Sequence, residues 1–79
     1  MISKKYIKEL EFENIEDIYN YIIDSELNGA ISQFKELINK LSKEQYKEFF
    51  SFIDNFRYLN DDIETQNKFK NKVIRARLE

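Results

Sequence analysis

Three carboxylates stand close together in the last third of this 79-residue chain: Asp61, Asp62 and Glu64. Paired carboxylates can share the work of general acid and general base, or hold a divalent cation. At a helix start they do something simpler, capping free N–H groups and complementing the positive end of the helix dipole. A calcium loop would need oxygen ligands at alternating positions over about 12 residues around a central glycine. No such run exists, so capping is the expectation and no metal is assigned.

Composition closes most other chemistry. Histidine and cysteine are absent, which removes the commonest base at neutral pH, the most readily activated nucleophile, thiolate metal sites and disulfides. A single glycine, Gly29, cannot build a phosphate-cradling loop, where several are needed for close backbone approach. The serines Ser3, Ser25, Ser32, Ser42 and Ser51 sit in no hydrolase motif. Neither an enzyme nor a cofactor is expected.

Such a chain must act through a surface, and the elements that present it can be read from periodicity. Apolar residues make up 42% and charged residues 35%, too apolar for a disordered segment and too polar for a membrane protein. No apolar run approaches the roughly 20 residues that span a bilayer, and no basic-then-apolar leader opens the sequence; a cytoplasmic protein is expected. Proline is absent, and with one glycine the punctuation of β-rich folds is missing.

Ile15, Ile18, Tyr19, Ile22, Ile23 and Leu27 follow the three-and-four spacing of one helical face, with Asn14 placed as N-cap and Gly29 as a left-handed C-cap. Ala30, Ile31, Phe34, Leu37, Ile38 and Leu41 form a second stripe. Ser42-Lys43-Glu44-Gln45 is a capping box opening a third helix, whose Tyr46, Phe49, Phe50, Phe52, Ile53, Phe56 and Leu59 cover about half its circumference and mark it as the central one. A fourth helix, capped by Asp61, runs to about Arg77, its apolar face interrupted by Gln66, Lys70 and Arg77. Residues 1–13 fit a short helix or an extended arm equally well. The expectation is an all-α fold: a small bundle of about four helices with that N-terminal segment, residues 1–79 forming one domain. Ile18, Ile22, Phe34, Ile38, Phe49, Phe50, Ile53 and Val73 are the expected core.

Charge is segregated although the net is only −2. From Glu9 to Glu26 every charged residue is acidic, and from Gln66 to Leu78 every one is basic. One consequence is pairing between the acidic and basic helices. A second is protein binding: Asp17, Tyr21 and Asp24 fall away from the apolar stripe, Tyr58 is similarly displaced from its own, and tyrosine among charges is a common interface composition. On that reading the protein is a non-enzymatic binding module, a small regulator or inhibitor of another protein. Its Ile-, Lys- and Asn-rich composition fits a phage or mobile element, with a host nucleic-acid-binding defence factor as one target. The alternative is nucleic-acid binding by Lys68, Lys72 and Arg75 on one flank of the last helix, with helices three and four imitating a helix-turn-helix. The low net charge opposes it, because such affinity comes from neutralised phosphates. Exchange of terminal elements in a homodimer is compatible with either.

Overall fold

A computed structural model describes residues 1–56 and 62–78. Among the described residues the chain is all-α, without a strand: α1 Lys4–Glu9, α2 Ile15–Leu27, α3 Ile31–Lys40, α4 Lys43–Asp54 and α5 Ile63–Leu78. The N-terminal segment, open between helix and arm, is the short helix α1. Tyr58 and Asp61 lie outside the described residues.

The helix starts obey local chemistry. The Asn14 side chain accepts the Asp17 N–H at 3.1 Å, and Ser42 and Gln45 form a reciprocal capping box. At α5 the capping contacts come from Asp62, whose carboxylate accepts the Glu64 N–H at 3.0 Å and the Thr65 hydroxyl at 2.9 Å.

Two helix ends use one device with different residues. After α2, Gly29 takes φ 80°, its N–H bonding to Glu26 O and that of Ala30 to Ser25 O. After α1, Glu11 takes φ 65°, with Glu11 N–H on Lys8 O and Phe12 N–H on Ile7 O. Both are Schellman closures, which satisfy the last carbonyls through a left-handed residue. Glycine adopts that conformation freely, whereas Glu11 carries a Cβ there at a cost of about 1 kcal/mol.

One continuous hydrophobic core runs through all five helices. α2 packs against α1, α3 and α4, and α5 packs against α3 and α4. α2 is the most deeply set helix, with Ile18, Tyr19, Ile22 and Ile23 fully buried. Phe69 of α5 meets Phe34 of α3 and Phe49 of α4, at centroid distances of 5.9 and 6.5 Å. Phe49 in turn meets Tyr19, which packs on Phe52. Burial, then the nearby Glu48 and Glu16, pushes the Tyr19 hydroxyl well above the usual tyrosine range, so it stays protonated and donates to Gln45 O at 3.3 Å.

Gln45 also fixes the N-terminal arm. Its Oε1 accepts the Ile2 and Ser42 N–H groups at 3.0 Å, while its Nε2 donates to Ile2 O at 2.8 Å. Ile2 and Ile7 are thereby held in the core.

α4 is not the central helix that its wide apolar arc implies. Only Phe49 and Ile53 are buried; Tyr46, Phe50, Phe52 and Phe56 are partly covered and stack in pairs, Tyr46 on Phe50 and Phe52 on Phe56. An aromatic arc can be satisfied by neighbouring rings along its own helix without a second helix laid over it. Phe50, expected in the core, is therefore half-buried. α5 is thinly packed, burying Phe69, Val73 and Ala76 and leaving Ile63, Ile74 and Leu78 exposed.

Two differences in stability follow, both measured by denaturant unfolding. Phe49→Ala should cost about 3–5 kcal/mol and Phe50→Ala about 1 kcal/mol; equal losses would contradict this division of the arc. Glu11→Gly should stabilise the fold by about 0.5–1 kcal/mol, whereas Gly29→Ala should destabilise it through φ alone, since no atom stands within 4 Å of the added Cβ. A neutral or destabilising Glu11→Gly would show that the α1 closure is not strained.

Candidate protein-binding surface

The Asn14 cap sets where α2 begins and hence which residues its outer flank carries. Asp17, Tyr21 and Asp24 share that flank, and with Asn20 and Phe12 they line a shallow concavity of about 200 Å³. Tyr21 is half-buried rather than free, because Phe12 packs on its ring at 5.3 Å with the planes tilted by 56°. The aromatic pair is thus a firm apolar floor between two carboxylates.

The two acids differ. Asp17 accepts the Glu13 N–H through Oδ2 at 3.1 Å while its own N–H is held by Asn14, so it serves the helix start. Asp24 is exposed and pairs with no cation among the described residues. Glu9, Glu11, Glu13 and Glu16 are exposed nearby in sequence, with Lys4 and Lys8 of α1 on the same surface as Glu13 and Glu16. A flank of this kind suits a cation placed over Tyr21 or a guanidinium bridging the carboxylates.

The cations of α5 are placed differently. Lys68 bridges Glu64 one turn back at 3.4 Å. Lys72 reaches Glu26 of α2 at 2.5 Å, and the Glu26 side chain is only 10% exposed. Lys70 pairs with Asp54 of α4. Arg77 donates through Nη1 to Ile38 O and Leu41 O, both at 2.7 Å, capping the end of α3. Its guanidinium lies 4.8 Å from the Tyr46 ring centroid, where burial raises the Tyr46 hydroxyl and Arg77 partly offsets it. Of Lys68, Lys72 and Arg75, only Arg75 has no acidic partner among the described residues. Pairing between the acidic and basic helices is thus present in one contact, Lys72 to Glu26.

The acidic cluster of the sequence divides between a cap and a surface ion pair: Asp62 at the α5 start and Glu64 with Lys68. Among the described residues no group of three or more carboxylates is placed to hold a metal, and no helix is long and apolar enough to cross a membrane. Two features escape sequence reasoning. Phe12 lies outside any helical periodicity, so its stacking on Tyr21 has no spacing signal. A groove shared by α3 and α5 joins residues some 40 positions apart. Compared with known protein families, curated proteins and solved structures, this chain has no significant match.

Lys72→Met leaves the nearly buried Glu26 carboxylate without its cation and should destabilise the fold by about 1–2 kcal/mol, whereas Lys68→Met should have a much smaller effect. Chemical denaturation of the two variants side by side checks this. Equal effects would mean that Lys72 is as solvent-screened as Lys68.

Proposed function

We propose that this protein is a non-catalytic binding module that engages another protein through the acid–aromatic flank of α2: Asp17, Tyr21 and Asp24 over Phe12. The observation that carries the reading is the contrast between the two charged helices. α5 turns Lys70, Lys72 and Arg77 onto groups of its own fold, while α2 holds Asp24 and an anchored tyrosine outward. The complementary partner has a basic surface with a projecting ammonium or guanidinium group, the chemistry of many nucleic-acid-binding faces. A cytoplasmic regulator or inhibitor that covers such a face fits best, and a phage or mobile-element inhibitor is its narrower form. Nucleic-acid binding by α5 is the weaker reading, because Lys68, Lys70 and Lys72 meet carboxylates and Arg77 meets backbone carbonyls of the same fold, leaving Arg75 as the cation with neither among the described residues.

A photo-crosslinking side chain in place of Asn20, at the centre of the flank, should capture the partner for identification. In the purified complex, Asp24→Lys should weaken binding by about tenfold or more, and added salt should weaken the wild-type complex. Asp24 is the informative position, since reversing Asp17 also disturbs the α2 start. An unchanged affinity for Asp24→Lys would remove the flank as the interface. Labelled DNA and RNA should give no anisotropy change at about 50 or 200 mM salt; binding that falls steeply with salt and is lost in Arg75→Ala would put the nucleic-acid reading in its place.

A further inference from the structure

α3 and α5 run side by side, with Phe69 against Phe34 and Ala76 beside Asn39, but they leave a groove of about 260 Å³ between them, beside the end of α2. Ile31, Phe34 and Ala76 supply apolar surface, and Lys35, Lys72 and Arg75 surround it. Among the described residues Glu26 is its one acid, already paired with Lys72. Ile31 is 46% exposed, although it belongs to the apolar stripe of α3. With Lys72 matched by Glu26, Arg75 gives this apolar recess a positive charge that has no acidic partner among the described residues.

The outer flank of α2 is its counterpart, an aromatic floor with an excess of negative charge. The two cannot meet within one molecule. Tyr21 on the flank and Glu26 at the groove are five residues apart on α2, roughly 140° around the helix, so the surfaces look in different directions. We infer that the rim of the groove, with its exposed Ile31 and Arg75, seats on the acid–aromatic flank of α2 from a second copy of this chain. The inference rests on the reading of that flank as an interface and names one occupant for it.

The contact is head-to-tail. Each junction uses the flank of one copy and the groove of the next, leaving one of each free, so association continues as open chains instead of stopping at a pair. Both faces are small and charged at their edges, which makes the contact a weak one and sensitive to salt. In dilute solution the flank is free for another protein; in concentrated solution it is covered.

Sedimentation equilibrium of the whole protein tests this. At about 50 mM salt the weight-average mass of the wild type should rise continuously with concentration, and at about 500 mM it should fall towards one chain. Asp24→Lys, which blocks the flank, and Ile31→Glu with Arg75→Glu, which blocks the groove, should each remain single chains. All three positions are exposed, and matching circular dichroism checks that the fold is kept. Mixed one to one, the two variants should form a pair and nothing larger, since each supplies the face the other lacks. A wild type that stays a single chain, a wild type that stops at two, or a blocked variant that still associates would each overturn the inference. If that occurs while Asp24→Lys still weakens the crosslinked partner, the flank remains an interface and only its self-occupant is wrong; if Asp24→Lys changes neither, the flank itself is not an interface.

Discussion

Phe69 sits where α3, α4 and α5 meet, its ring against Phe34 on one side and Phe49 on the other. In a chain of 79 residues without cysteine for a disulfide, a single core has to hold every helix. α5 offers that core only Phe69, Val73 and Ala76. Seating Phe69 therefore sets the rotation of α5, and the rotation determines what its cations meet.

With Phe69 inward, one flank of α5 turns Lys72 towards Glu26 on α2 and the other turns Lys70 towards Asp54 on α4. One turn beyond Val73, Arg77 reaches the free carbonyls at the end of α3. These contacts tie three of the α5 cations, Lys70, Lys72 and Arg77, into the fold. A carboxylate as covered as that of Glu26 is costly without a partner, so the Lys72 contact belongs to the fold as much as to the surface. α2 has the opposite outcome. Its inward residues Ile18, Tyr19, Ile22 and Ile23 are fully buried, Asp24 stays exposed on the other side, and Tyr21 packs against both Phe12 and the edge of the core.

Much of this was legible from local rules. The stripe from Ile15 to Leu27, the Asn14 cap, Gly29 and the Ser42 to Gln45 box all depend on residues within one turn of one another, and each stands where spacing places it. What was not legible depends on distant residues or on a broken rule. Glu11 takes the left-handed position that sequence reserves for glycine. Phe50 lies on the same arc as Phe49, and only the placement of other helices decides which ring is covered. Leu27 and Ile31 fit their stripes but stand at the turn between α2 and α3, beyond the reach of the core. The flank of Asp17, Tyr21 and Asp24 was visible as a flank, but the capping duty of Asp17 and the Phe12 stack were not. Lys68, Lys72 and Arg75 share one side of α5, but that Lys72 meets Glu26, 46 positions away on α2, carries no spacing signal.

The inward commitment of the α5 cations is most directly tested by NMR of the arginine side chains. Arg77, bonded to two carbonyls and laid over Tyr46, should show a slowly rotating guanidinium with separately resolved Nη signals and slow hydrogen exchange. Arg75, about 3 Å of helix rise away but turned to solvent, should show averaged signals and fast exchange. Arg77 signals as averaged and as rapidly exchanging as those of Arg75 would mean that α5 does not dock as described, and that its positive charge is available to a partner after all.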